Sequence, residues 1–264
     1  MHLKALCKYH KTAAMAAASY VGDSPLFLLD YLLRFLRVVV LLSLWRTILA
    51  GKDVVSGMSL GMVLTYTLIA EVLAEPLACR TRIVDALWDG SITTRLLHPV
   101  ALFGEFAAEA CGRWAFNLGA FSLPLLLCAP LLGVNPRPAG AGAAGTFVLS
   151  LALSISVGLA TDYVLAAVMV ILQLHRWAIE GVRRTLTVLL TGALLPLALW
   201  PWGLGCVFAW LPFASMAWAP LAIYTGMGDA WHLLAVQAGW SAVLWPLAHG
   251  LWRWHRERLV SYGG

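Results

Sequence analysis

Apolar residues run along the chain in blocks of roughly 20, the length an α-helix needs to cross the hydrocarbon core of a bilayer. Short polar, basic or Gly/Pro-rich stretches divide them. The first block covers about residues 26–49, the second 59–79, the third 114–134 and the fourth 146–172. A fifth begins near Leu186 and is broken by Pro196 and Pro201, and the last covers 231–252. Between those two lies 203–226, apolar but interrupted by Pro212 and Pro220. Ahead of the first block, Lys4, Lys8 and Lys11 fall at i, i+4 and i+7 with Leu3, Leu6 and Cys7 beside them. That pattern predicts an interfacial helix over 1–24 on an anionic leaflet; the alternative is a solvated basic tail. Its Ala-rich apolar stretch is too short for a cleaved signal.

Basic residues decide the orientation. Lys4, Lys8, Lys11, Arg80, Arg82, Arg95, Arg176, Arg183, Arg184, Arg253, Arg256 and Arg258 flank one set of block ends, whereas Lys52 and Arg137 flank the other, with Arg46 near that boundary. Positive residues favour the cytosol, so both ends are expected there, which requires an even number of crossings. Six spans result, and the Pro-broken segment 203–226 dips in from outside without crossing, tolerable where it packs on protein. The turn Asn135–Gly145 is external. Residues 80–100 form a structured first cytosolic segment, and His175–Thr185 a second cytosolic loop. Tryptophans such as Trp45, Trp200, Trp202, Trp231 and Trp252 stand at the predicted interfaces.

Composition agrees with a membrane chain. Hydrophobic residues make up 61% of the 264 and charged residues 12%, about half the charge of a soluble domain; mean hydropathy is +0.81. One compact bundle fills the length, leaving no room for a separate soluble domain. The net charge of +5 follows from topology and does not call for nucleic acid.

A few charges sit inside apolar blocks, where they are expensive and need partners or a function. In the first block Asp30, Arg34 and Arg37 share a face, and Asp30 can pair with Arg34 at i+4. In the second, Glu71 and Glu75 are expected to pair with Arg34 or Arg37 more readily than with a substrate. Glu105, Glu109 and Arg113 line one face of a helix still partly outside the bilayer, and Asp162 is alone in the fourth block. Glu71, Glu75, Arg113, Asn117 and Asp162 are the candidate pathway residues, with internal pairing as the competing role. The spacing Gly57 to Gly61 fits a small-residue helix contact.

Chemical motifs are lacking. The chain has no GxxxxGK[ST] loop for ATP, no HExxH, no GxSxG and no CxxC, and its five cysteines (Cys7, Cys79, Cys111, Cys128, Cys206) are scattered. No catalytic, cofactor-binding or metal-binding residue is expected. A membrane-embedded enzyme would need a convergent acid/base or metal set, and an ATP-independent secondary transporter would show paired repeats. Both remain as alternatives, as does a non-transporting scaffold.

An ordered set of small features resembles the ABC-2 type permeases of ATP-binding cassette transporters. These are Leu44-Trp45-Arg46, Gly51, Ser56-Gly57-Met58-Ser59, Met62 and Thr65-Tyr66, then Ile83, Gly90, Ile92 and Leu96-Leu97-His98-Pro99. Gly192, Pro196, Pro201, Leu211-Pro212-Phe213, Ala219-Pro220, Gly226, Gln237, Trp240 and Gly263-Gly264 follow. Tyr20 departs from the pattern, being followed by Val21 where a basic residue is common. The resemblance implies one all-α transmembrane domain over 1–264 in a bacterial plasma membrane. It implies two cytosolic ATPase subunits that hold ATP and Mg, and a second permease, identical or paralogous. It also implies export of an amphiphilic, lipid-like or natural-product substrate. Asp85, Leu87, Trp88, Asp89, Gly90, Arg95 and Leu96 are then the candidate ATPase-coupling residues.

Overall fold

The computed structural model describes residues 2–22, 27–51 and 54–254; Lys52, Arg256, Arg258 and the terminal Gly263-Gly264 lie outside them. The described residues are mostly helical, with little strand. The first elements are α1 (His2–Gly22), α2 (Phe27–Ile48), a hairpin of β1 (Val54–Val55) and β2 (Met58–Ser59), α3 (Leu60–Val72) and α4 (Ala74–Ala78). Two short helices, α5 (Ile83–Trp88) and α6 (Ile92–Arg95), occupy the expected coupling segment. Next come α7 (Leu102–Asn117), a π turn at Leu118–Ser122, α8 (Leu123–Cys128), α9 (Ala141–Ile171) and α10 (Arg176–Leu190). After two 3-10 turns, α11 (Leu204–Phe208), α12 (Pro212–Met216) and α13 (Trp218–Thr225) lead to α14 (Ala230–Trp254).

Among the described residues one helix, α9, is long and apolar enough on its own to meet a membrane-crossing criterion. Its 31 residues extend about 46 Å at 1.5 Å per residue. The other blocks fall short for definable reasons: α2 carries Asp30, Arg34, Arg37 and Arg46, the second block is divided at Leu73 between α3 and α4, and Trp, His and Gln dilute α14. Apolar residues nonetheless face outward in quantity, above all Leu28, Leu29, Leu32, Leu33, Leu36, Val40, Leu44 and Ile48 of α2. With Val38, Leu42 and Trp45 buried on its other side, α2 is apolar on both sides apart from its four charged residues.

Three expectations are corrected. The loop at His175–Thr185 is the first two-thirds of α10, whose inward residues Ile179, Arg183, Leu186, Thr187 and Leu190 recur at helical spacing. This helix ends before Gly192, and its 15 residues span about 22 Å, short of a bilayer core. The Gly57–Gly61 spacing is no helix contact, because Ser56 and Gly57, both with positive φ, form the two-residue turn of the β1–β2 hairpin. That turn type requires left-handed residues and favours glycine. Finally, Asp30 does not take Arg34; that arginine reaches Glu75, at 3.4 Å.

Packing centres on α9. Val157, Ala160, Tyr163, Ala166 and Met169 of α9 join Ile83 and Leu87 of α5, Phe106 and Ala110 of α7, and Ala248 and Trp252 of α14 in the largest buried cluster. A second cluster joins α2, α3 and α8, and a third holds Tyr66, Ile69, Leu77 and Leu221 together. At one end of the bundle the turn before α9 is tied to α13: Ala139 N–H donates to Tyr224 O at 2.9 Å, and the Tyr224 hydroxyl donates to Pro136 O. At the other end α5 meets α10 through Asp85–Arg176 at 2.8 Å and Trp88 against His175, ring centroids 4.7 Å apart. Helix α1 lies along α7 so closely that a Cβ on Gly112 would sit 2.0 Å from Ala13 O.

Candidate functional site

Charges held within an apolar bundle must be matched, because an unpaired ion there costs several kcal/mol or more. The structure matches nearly all of them and gathers Glu71 and Glu75 into one group and the residues of α5 and α6 into another, with Arg113, Asn117 and Asp162 apart from both.

The first group lies between α2, α3–α4 and α10. Arg37 pairs with Glu71, and Arg34 with Glu75. Arg34 also sits 4.9 Å above the Phe121 ring, a favourable cation–π placement. These four residues and Asp30 line a cavity of about 480 Å³ whose remaining wall is small or apolar: Ala70, Ala74, Leu77, Thr187, Val188, Thr191 and Ala193 among others. A cavity of that size fits a small-molecule site. Its walls offer fixed paired charges on one side and apolar contact on the other, which suits a molecule with a polar head and an apolar body.

Asp162, alone in its sequence block, is fully engaged. Its Oδ2 accepts from Thr81 N–H at 3.0 Å and from the Thr81 hydroxyl at 2.5 Å, and its Oδ1 accepts from Arg183. The trio joins α9, the residues just ahead of α5, and α10. Arg183 is the partner that reading the sequence missed; the signal was its place on the inward stripe of a helix taken for a loop. Asp162 and Arg183 line a minor void beside α4 and α12 and neither of the two large cavities. Asn117 is buried at the start of the π turn, and its Nδ2 has no hydrogen-bond partner among the described residues. Arg113 donates to Arg80 O at 3.1 Å and lines a different cavity, beside α1.

The second group lies on and around α5 and α6, where coupling residues are expected. Leu87 is wholly buried in the bundle core, Asp85 faces Arg176, and Arg95 is held by Glu105 at 3.3 Å and Glu109 at 2.6 Å. The Arg95 guanidinium also stacks on Phe106, 4.6 Å from the ring centre. These three residues fasten the segment to its own bundle. Trp88, Asp89, Leu96 and Leu97 stay exposed, with Leu97 83% accessible, and Gly90 forms the positive-φ bend between α5 and α6. Asp89 is fixed by accepting from Ser91 N–H at 2.9 Å; that hydrogen bond, with Arg95 and Arg176 nearby, holds its carboxyl below the usual range. Beside this segment Trp88, His175, Arg176, Trp177, Arg80 and Glu180 frame a cleft of about 400 Å³. The result is a braced, partly aromatic platform at one end of the bundle, with its anchors turned inward and an apolar-aromatic edge turned outward.

No group of three or more metal-ligating side chains occurs among the described residues. A family model described as ABC-2 family transporter protein matches residues 35–263. No curated protein and no solved structure matches the chain.

Proposed function

The chain belongs to the ABC-2 transporter family, a family of membrane-embedded transport subunits, and on that premise we propose that it exports an amphiphilic substrate under the drive of separate ATPase subunits. In this reading ATP and Mg bind on two cytosolic partners, and a second permease, identical or paralogous, completes the pathway. The chain forms one transmembrane domain of six spans, with both termini in the cytosol of a bacterial plasma membrane. The span assignments are α2, α3–α4, α7–α8, α9, the end of α10 from Leu186 continued by the Pro-broken residues after it, and α14, with α11–α13 as a re-entrant element on the outer side.

The observation that carries the substrate class is the cavity between α2, α3–α4 and α10. Two internal ion pairs neutralise four of its five charged side chains and leave the Asp30 carboxylate, while its apolar wall favours a lipid-like body. The platform made by α5, α6 and the start of α10 supports the drive. Its core contacts make it rigid, Asp162–Arg183–Thr81 links it to α9 and α10, and Trp88, Leu96 and Leu97 give a partner apolar anchors.

The test plugs the cavity without touching its charges. Ala74→Trp fills space lined by Ala70, Leu77 and Thr191. The complex with its ATPase, reconstituted in vesicles, is expected to keep ATPase binding and lose ATP-dependent extrusion of a fluorescent amphiphile by more than tenfold. Undiminished extrusion by a variant carrying the indole in the cavity would remove this cavity from the pathway.

A further inference from the structure

We infer that the cavity between α1, the coupling segment and α7 binds a phosphate group, supplied by the headgroup of an anionic phospholipid. The cavity measures about 510 Å³. Four cationic side chains line it, Lys8, Arg82, Arg95 and Arg113, against two carboxylates, Glu105 and Glu109; four minus two leaves two positive charges unmatched. Arg95 lies against both carboxylates, and Glu105 is further shared with His98 Nδ1 at 3.1 Å. Lys8, Arg82 and Arg113 have no carboxylate within ion-pair distance among the described residues. The one hydrogen bond given for Arg113 goes to a backbone carbonyl, Arg80 O.

Like charges gathered at one concavity repel unless an anion joins them, and the guanidinium fork matches phosphate oxygens two at a time. The remaining wall suits a lipid. Thr12 and Ser19 bring hydroxyls, and Met15, 72% exposed, presents an apolar side chain beside the charges. Helix α1 is held in place by its close contact at Gly112, and by Tyr9, whose hydroxyl accepts from Ala101 N–H at 3.3 Å. A phosphate bound here would join α1, the start of the coupling segment and α7 at three points. The lipid as source rests on the membrane orientation proposed above, whereas the phosphate site rests on these residues alone.

The experiment uses the full chain copurified in detergent and then stripped of lipid. Native mass spectrometry reads the retention of added phosphatidylglycerol and phosphatidylcholine; a third arm adds inorganic phosphate. The expected result is a preference for phosphatidylglycerol that Arg82→Gln/Arg113→Gln weakens about 30-fold, from roughly 1 kcal/mol per arginine at 1.4 kcal/mol per tenfold. Arg82→Lys/Arg113→Lys should retain most of it. Arg82→Gln alone, at an exposed position, gives the same direction should the double variant not fold. Arginine-dependent binding of inorganic phosphate without a lipid preference would support the phosphate site and assign its source to solution. Equal retention of both lipids, with no arginine-dependent phosphate binding, overturns the inference. If no ATPase copurifies but the lipid preference persists, the transporter reading fails and this site stands.

Discussion

Replacing Asp162 by asparagine changes one atom and removes the charge that faces Arg183. The structure makes the consequence calculable in direction and scale. Both carboxylate oxygens of Asp162 accept, Oδ2 from the two Thr81 donors and Oδ1 from Arg183, and asparagine has only one acceptor oxygen. Whichever way the amide turns, its NH2 faces donors. The Arg183 side chain is 13% exposed and that of Asp162 3%, so the arginine is left charged and largely out of water. Breaking a buried pair on one side costs about 3–5 kcal/mol, whereas removing both partners costs less. Thermal unfolding of the purified complex should therefore show a large loss for Asp162→Asn and a comparable one for Arg183→Gln. Asp162→Leu/Arg183→Leu should be milder than either. Because the trio joins the coupling segment to α9 and α10, the single variants should also uncouple ATP hydrolysis from transport. Additive losses, with the double variant near the sum of the singles, would refute the pairing argument.

Further predictions concern packing and the coupling turn. Gly112→Ala places a methyl against Ala13 O and should displace α1 from α7 at about 1–3 kcal/mol; a lowered melting temperature and faster protease cleavage within α1 would record it. Gln237, fully buried, accepts from Ser150 Oγ at 2.8 Å and donates to Ser150 O and Ser215 O at 3.1 and 2.8 Å. Gln237→Leu should therefore cost about 2 kcal/mol by orphaning groups on α9 and α12, read as a lowered melting temperature. Asp89 has a lowered pKa in the folded chain, so its contribution is complete above the ordinary carboxylate range and fades as pH falls through the lowered value. Hydrogen exchange at Ser91 should accelerate there, and Asp89→Asn should abolish that pH dependence.

Much of the helical layout was legible because apolar blocks and their Gly/Pro boundaries record burial directly. The turn at Asn135, the break near Pro212 and the long helix α9 all follow from composition over short windows. The pairing of Glu71 with Arg37 was legible for a different reason: Arg34, Arg37, Glu71 and Glu75, stranded in two neighbouring apolar blocks, have few other places to go. Asp162 was harder. Its partner lies 21 residues on, in a stretch whose charges conceal an amphipathic helix from any hydropathy average; only the 3.6-residue recurrence of Ile179, Arg183, Leu186 and Leu190 betrays it. The resemblance makes Arg95 and Leu87 candidates for coupling, and a short loop gives no periodicity to separate inward from outward. The fold turns both inward. The π turn after Asn117 leaves no sequence signature; at its end the Ser122 hydroxyl donates to Val72 O at 2.5 Å.

The central claim is that this chain is the transport subunit of a complex whose energy comes from separate ATPases. Affinity purification of the full chain from its native membrane, followed by identification and counting of the bound subunits, tests that most directly. The account predicts nucleotide-binding subunits in stoichiometric amount, two per pair of permease chains, and lost when Trp88 and Leu97 are both changed to aspartate. A stable, transport-active preparation with no nucleotide-binding subunit would contradict it.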